Sequence, residues 1–169
     1  MPRGEYACYS EDNPYYNENA EAGEEVSSTF EGRHINLAEG WLYHNDQGDG
    51  LVNKGQPVAF GGGIGAGVGI ALKDAADEHD TIPIDTEGIW RVAVWATDDI
   101  VPGQILWIGD NGGAEEGIIT DDPFVSGDFP LVFGYAMEPF IFSENGEFNV
   151  VVMAVKVHWM FWFWWFDGA

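Results

Sequence analysis

The stretch TIPIDTEGIWRVAVWA, residues 81–96, decides the fold class of this chain. Its second half, Ile89 to Trp95, is rich in β-branched and aromatic residues, a composition typical of a strand. Similar short runs follow one another from Leu51 onward, separated by Gly, Pro, Asn and Asp turns. They are QPVAF, IGAGVGIAL, QILWIGD, GIIT, LVFGYAME, FIF and FNVVVMAVKVHW. We therefore predict an all-β domain that forms a small barrel or sandwich.

The length of 169 residues fits one domain with extensions at both ends. We expect an acidic N-terminal arm over residues 1–40, a β-barrel-like domain over 41–158 and an aromatic C-terminal tail over 159–169. Only LKDAADEHD, residues 72–80, has a helical composition, and it is short enough to form a single turn. With 46% hydrophobic residues, the chain can build a substantial core.

The charge excludes several functions. Asp and Glu number 29 against 6 Lys and Arg, which gives a formal net charge of -23. Binding to nucleic acid or to anionic lipid requires clustered cations, and the six here are scattered. No apolar run reaches the roughly 18 residues of a membrane helix. We predict neither a nucleic-acid nor a membrane partner.

An internal repeat links the two halves of the domain. Residues 54–60, KGQPVAF, resemble residues 102–108, PGQILWI. Each run is followed by a glycine-led strand, GIAL at 69–72 and GYAM at 134–137. We match the next long strands, Ile89 to Trp95 and Val150 to Val157, as the third members. The spacing predicts one three-strand plan used twice.

The glycine run from Gly61 to Gly69 lacks the spacing of a phosphate-binding loop, and no helix is predicted after it. Glycine instead occupies every second position, which leaves Ile64, Ala66, Val68 and Ile70 on the other face of a strand. A bare glycine face permits close approach of another backbone or a large ring.

The sequence contains no motif that clearly predicts a metal site or a catalytic site. The acidic loop from Asn45 to Gly50 could hold calcium but does not fit the EF-hand register, so a solvated hairpin loop is favoured. Asp98-Asp99 and Asp121-Asp122 are interpreted as loop charges. Ser126 lacks the first glycine of a nucleophile elbow. The histidines, His34, His44, His79 and His158, show no metal-binding spacing. We predict no enzyme, no cofactor and no metal.

Aromatic residues at both ends are the candidate interaction residues. The tail from Trp159 to Phe166 consists of aromatic residues and Met160, which would be an aggregation hazard in water. It could be a last core strand, a subunit interface or a membrane-interface segment, and burial partly between subunits is favoured. The predicted interface residues are Trp159, Trp162, Trp164 and Trp165 on the tail and Tyr6, Tyr9, Tyr15 and Tyr16 on the arm. The arm is either a disordered terminus or a segment that orders on a neighbour.

Five pieces in sequential order resemble the capsid cement, or decoration, proteins of tailed viruses. They are KGQPV at 54–58 with GIAL at 69–72, the acidic turn from Asp74 to Asp80, DTEGIWRV at 85–92, IVPGQILW at 100–107, and GYAM at 134–137 with the strand from Val150 to Val157. The resemblance covers roughly residues 50–157 and leaves the arm and the tail outside.

This resemblance implies a small β-barrel-like domain without an active site. It implies assembly, commonly as trimers, on the outside of a matured icosahedral head in the virion, after synthesis in the host cytoplasm. There the protein would bridge neighbouring major capsid proteins and stabilise the shell. The alternative is a carbohydrate- or calcium-binding β module of a surface or adhesion protein, because aromatic rings stack on sugars and acids hold ions.

Overall fold

A computed structural model describes residues 21–23, 25–27, 34–45, 50–61, 67–109, 117–122, 131–143 and 149–158. In these residues it contains eleven strands and one 3-10 turn, Glu39–Trp41. The strands are β1 (Glu25–Ser27), β2 (His34–Ala38), β3 (Leu42–His44), β4 (Pro57–Phe60), β5 (Gly67–Ala71), β6 (Thr81–Asp85), β7 (Glu87–Ala96), β8 (Ile105–Ile108), β9 (Ile119–Thr120), β10 (Leu131–Ala136) and β11 (Asn149–His158). The all-β prediction is confirmed. Within the described residues, no helix is long and apolar enough to cross a lipid bilayer.

The stretch that decides the fold class also joins the two sheets. Its first part is β6, which belongs to a five-stranded sheet, and its second part is β7, which belongs to a six-stranded sheet. The change of sheet occurs at Thr86, which is 1% exposed. Just before it, the Asp85 carboxylate accepts a hydrogen bond from the Glu87 N–H at 3.1 Å. One continuous segment therefore holds both sheets together.

The six-stranded sheet closes on itself. Its order is β1-β7-β11-β10-β8-β9, and β9 returns to pair in parallel with β7 through Val94 and Trp95. The result is a closed five-stranded barrel, with β1 paired to the other end of β7. Alternate residues of β7 point into the barrel and are buried: Trp90, Val92, Val94 and Ala96. The period of two in the sequence thus produces the barrel core.

The second sheet, in the order β2-β6-β5-β4-β3, curls beside the barrel. Its two edge strands, β2 and β3, are joined by the short 3-10 turn alone, so the edges are drawn toward each other. All five residues of β5 are buried, because Val68 and Ile70 pack into the barrel core while Ala71 packs into a second core. The placement of Val68 and Ile70 opposite the strand glycines agrees with the predicted face; residues 62–66 of the glycine run lie outside the described residues.

The predicted repeat appears as two turns of the same construction. In the first, Asn53–Gln56, the Gln56 side-chain oxygen accepts a hydrogen bond from the Asn53 N–H at 2.8 Å. The Gly55 N–H donates to the Ala71 carbonyl at 2.7 Å, and the Ala71 N–H donates back to the Gln56 carbonyl at 3.0 Å. Gly55 has a φ of +85°, a conformation in which side chains are strained. The turn is thereby fixed to the end of β5.

The second turn, Val101–Gln104, repeats each of these bonds. The Gln104 side-chain oxygen accepts from the Val101 N–H at 3.0 Å. The Gly103 N–H donates to the Ala136 carbonyl at 2.7 Å, and the Ala136 N–H donates to the Gln104 carbonyl at 2.9 Å. Gly103 has a φ of +88°. The first two strands of the predicted repeat are therefore equivalent in structure: β4 with β8, and β5 with β10.

The third strand of the first copy differs from the prediction. Leu72 donates to the carbonyl of Pro83 in β6, and its counterpart Met137 donates to the carbonyl of Ala154 in β11, both at 2.9 Å. The strand of the first copy that is equivalent to β11 is thus β6. The prediction that Ile89 to Trp95 is the third strand of that copy was wrong. The prediction matched two hydrophobic runs because both are long. The hydrogen bonds between strands show instead that the short β6 holds the position equivalent to β11.

Residues 72–80 form a loop instead of the expected helical turn. Asp side chains organise it: the Asp80 carboxylate accepts the Ala76 N–H at 2.8 Å and the Lys73 ammonium at 2.9 Å. Asp74 accepts the Lys54 N–H at 2.7 Å from the neighbouring turn. Short acidic side chains compete with the backbone for these hydrogen bonds and so favour loops over helices.

Gly134 should be essential for reasons of space. A Cβ atom at this position would overlap the carbonyl oxygen of Lys156 in the adjacent strand. We expect Gly134→Ala to lower the free energy of unfolding by about 3 kcal/mol, because the obstacle is backbone and cannot rotate away. Gly103→Ala is the matched control. The added Cβ would meet no described atom within 4 Å. The free energy of unfolding should therefore fall by only about 1 kcal/mol, which is the cost of a side chain at positive φ. Urea denaturation of both variants measures the difference, and equal losses would contradict it.

Asp80 should make stability depend on acid pH. The hydrogen bond from Lys73, aided by the Ala76 N–H, lowers the pKa of the Asp80 carboxyl below its ordinary value of 3.8. A lowered pKa means that the ionised carboxyl stabilises the fold above pH 3.8, and that this contribution disappears as the pH falls through the lowered value. Asp80→Asn should therefore lose less stability than the wild type between pH 5 and pH 2. The exposed Glu78→Gln serves as control, and thermal unfolding across this range is the measurement.

Candidate interaction surfaces

The predicted interface residues Tyr6, Tyr9, Tyr15, Tyr16, Trp159, Trp162, Trp164 and Trp165 lie outside the described residues. The structure does describe where their segments join the domain. The tail follows His158, which pairs with Glu87 at the start of β7. On the N-terminal side, β1 and β2 fall within residues 1–40 and pair with β7 and β6 respectively.

The described end of the arm is fastened to the first of the two repeated turns. The Gly23 N–H donates to the Arg91 carbonyl of β7 at 2.8 Å. Gly23 also lies against Gly55, so closely that a Cβ on Gly55 would be 2.6 Å from the Gly23 Cα. Two glycines with positive φ thus allow the arm to cross over the turn. Ala22 and Gly23 share a small recess with Lys54 and Ala93.

Most of the large exposed apolar side chains of the described region lie on β11 or beside the Ile100–Phe140 pair, and one lies apart on the 3-10 turn. In the part of the chain that the structure describes, these are Trp41, Val101, Ile141, Val150 and Val152. Val101 is 60% exposed, Ile141 82% and Val150 57%. Ile100 and Phe140 exchange two backbone hydrogen bonds of 2.9 Å, and both pack toward the core. Because side chains alternate along an extended chain, Val101 and Ile141 then both point outward.

Val150 is exposed on the outside of the barrel, close to the segment that carries Ile141. Asn149, which precedes it, donates its side-chain N–H to the Ser143 carbonyl at 3.0 Å, two residues from Ile141. Across the sheet, Val150 faces Trp95 and Val152 faces Ala93. We call Val101, Ile141 and Val150 the apolar end, with Val152 as its continuation.

Acidic side chains border the apolar end. The Asp99 carboxylate accepts the Phe142 N–H at 2.7 Å, which places Asp99 beside Ile141. Asp98 lies next to it and accepts the Asp99 N–H at 2.7 Å. Both residues are exposed. The apolar end therefore carries negative charge at its margin.

Asp121 has a structural role that the sequence did not reveal. Its carboxylate accepts the Thr97 N–H at 2.8 Å, the Thr97 hydroxyl at 3.1 Å and the Asp98 N–H at 3.1 Å. These bonds hold the turn after β7 to the end of β9, where the barrel closes. Asp121 is separated from this turn by more than 20 positions, so no local pattern could indicate the contact.

Comparison with protein families decides the identity of this domain. A family model for phage cement proteins matches residues 43–150. That span exceeds half of the 169 residues and contains both repeated turns and the residues of the apolar end. The chain belongs to the phage cement protein family. No curated protein and no solved structure matches the chain.

Membership in the cement family confirms the resemblance drawn from the sequence. The role of the protein is structural and associated with the capsid, and its place is the virion. A structural family implies a non-enzymatic role and does not favour the carbohydrate- or calcium-binding alternative. Among the residues described, no group of three or more His, Cys, Asp or Glu is arranged to hold a metal ion, and residues 46–49 of the candidate calcium loop lie outside them.

Glu39 of the 3-10 turn and His44 of β3 form a buried polar pair in the described part of the cement domain. The His44 Nε2 lies 3.0 Å from the Glu39 Oε1, and the two side chains are 7% and 6% exposed. The other imidazole nitrogen, Nδ1, has no hydrogen-bond partner in the described region. Gly117 packs against the same residue, since a Cβ there would lie 2.5 Å from the His44 Cα. The pair ties the edge strand β3 to the 3-10 turn that follows β2.

The two single substitutions in this pair should together cost more stability than the double substitution. Glu39→Leu leaves the imidazole buried without its hydrogen-bond partner, and His44→Phe leaves the Glu39 carboxyl group buried without its partner, at about 1–3 kcal/mol each. Replacing both removes the polar groups together and should cost clearly less than the sum. Urea denaturation of the four proteins in the cycle measures the coupling. Strictly additive losses would show that the pair contributes no interaction energy.

Proposed function

We propose that this cement protein decorates the outer surface of an icosahedral head and bridges neighbouring major capsid proteins. The family match over residues 43–150 is the observation that carries the proposal. Capsid symmetry repeats the binding position many times, so contacts of modest strength can add up over the particle and stabilise it.

The charge of the protein supports an external position. A net charge of -23 disfavours contact with the packaged genome inside the head. On the outside, the same charge keeps separate particles apart. An acidic protein is therefore better suited to the outer than to the inner surface.

We further propose that the protein forms homotrimers and that aromatic residues outside the described domain contribute the contacts. Trp159, Trp162, Trp164 and Trp165 on the tail would contact a neighbouring subunit or the capsid. Tyr6, Tyr9, Tyr15 and Tyr16 would lie along the arm, whose described end is fixed at Gly23. Large aromatic side chains are enriched in the buried centres of interfaces.

Binding to heads is the direct test. Purified protein should co-sediment with expanded heads that lack it and raise the temperature at which those heads release their DNA. Antibodies against the protein should then bind intact decorated particles, because the epitopes lie outside. Failure to co-sediment would refute decoration, and antibody binding only after disruption would refute the external position.

Deletion of the tail tests its proposed role. Removal of residues 159–169 should abolish the trimer or the binding to heads, since it removes the aromatic contacts. Removal of residues 167–169 alone is the matched control and should leave both unchanged, because these residues carry no aromatic side chain. Sedimentation equilibrium and co-sedimentation are the two measurements. A full deletion that behaves as the wild type in both would contradict the role of the tail.

A further inference from the structure

Building on the proposed decoration of the head, we infer that the apolar end is the surface that contacts the capsid. Its ligand is an apolar protein surface bordered by Lys or Arg side chains. The apolar end consists of Val101, Ile141 and Val150, which are different residues from the aromatic ones proposed above for the arm and the tail.

The exposure of the apolar end is the first observation. Ile141 and Val101 point outward from a backbone that is held rigidly by the Ile100–Phe140 pairing. Val101 and Ile141 flank the same backbone pair on its outward side, and neighbouring exposed apolar side chains indicate a contact surface more strongly than single ones. Trp41 is the single large exposed hydrophobic residue of the described domain that belongs to the other sheet's edge, on the 3-10 turn.

The internal repeat provides the second observation. The turn Asn53–Gln56 is covered by the chain itself, because Gly23 lies directly on Gly55. None of the described residues covers the equivalent turn, Val101–Gln104, in this way, and a Cβ on Gly103 would meet no described atom within 4 Å. Within the described part of the chain, the same hydrogen-bonded turn is therefore covered by the arm in one half of the domain and left uncovered in the other half.

Charge identifies the partner. Asp98 and Asp99 border the apolar end, and the whole chain carries 29 acids against 6 bases. Of the cations in the described domain, Lys73 and Arg91 already form ion pairs with Asp80 and Glu138. A second copy placed against this surface would bring acids against acids, which costs energy at close range. A partner with Lys or Arg around an apolar centre is complementary, and in a virion the capsid surface is the candidate.

The test compares two sets of exposed residues in the full-length protein. Val101→Ser with Ile141→Ser should weaken binding to expanded heads roughly ten-fold or more, since truncation of central apolar contacts has effects of this size. Trp41→Ser is the matched control and should bind as the wild type. These side chains are exposed, so all variants should fold, which thermal unfolding verifies.

The charge of the partner is tested with Asp98→Asn and Asp99→Asn together. Asparagine keeps an acceptor oxygen for the Phe142 N–H, so the loop is retained while the charge is removed. Binding of the wild type to heads should weaken as salt is raised from low concentration, and the double variant should show a smaller salt dependence.

The outcomes separate this inference from the proposed function. Absence of binding by the wild type would refute decoration itself. Wild-type binding that the Val101/Ile141 variant retains would overturn the inference and leave decoration standing. A variant that binds heads normally but loses self-association would also overturn it, because the surface would then lie between copies of this chain.

Discussion

The fold depends on close backbone contact at two glycines, Gly69 and Gly134. Each lies where the absence of a side chain lets the carbonyl of the next strand approach, Asp85 in one case and Lys156 in the other. At Gly134 this contact joins β10 to β11, without which the barrel of β7, β11, β10, β8 and β9 could not close. At Gly69 it joins β5 to β6, the strand that leads directly into β7. The two sheets therefore use the same glycine–carbonyl contact at equivalent positions of the repeat. These contacts fix the strands that carry the apolar end and the attachment of the arm.

The sequence predicted those features that depend on neighbours along the chain. Strand composition and the period of two predicted the all-β class, and repeated Gly-Gln turns predicted the duplication before any pairing was known. Features that depend on register could not be predicted. The third strand of the first repeat is the short β6, which pairs with β5. The length of the hydrophobic run from Ile89 to Trp95 had favoured that run instead. The Asp121 bonds and the Glu39–His44 pair depend on contacts that the fold alone creates.

The apolar end was also beyond sequence analysis, for a different reason. Val101, Ile141 and Val150 are ordinary members of hydrophobic runs, and their immediate neighbours Ile100 and Phe140 are core residues. Only the alternation fixed by the Ile100–Phe140 pairing decides which side chains face outward. The aromatic tail, in contrast, stands out in the sequence because no partition of its residues between two faces leaves one face polar. An unusual segment can thus be recognised from its composition alone. The exposure of common hydrophobic residues can be recognised only when the fold is known.

The acidic charge and the apolar contacts of this cement protein act over different distances. Two unit charges about 20 Å apart in water repel by only about 0.2 kcal/mol before screening, and screening at physiological salt sets in at about 8 Å. Repulsion between well-separated acids on adjacent copies is therefore small, even at a net charge of -23. At contact distance the cost rises steeply, so surfaces that meet must be apolar or matched with cations. A protein with so few cations of its own can supply the apolar part of such a contact but not the positive part. The positive part must come from the surface that the apolar end covers, and this division favours the capsid over a second copy of the chain as the partner of the apolar end.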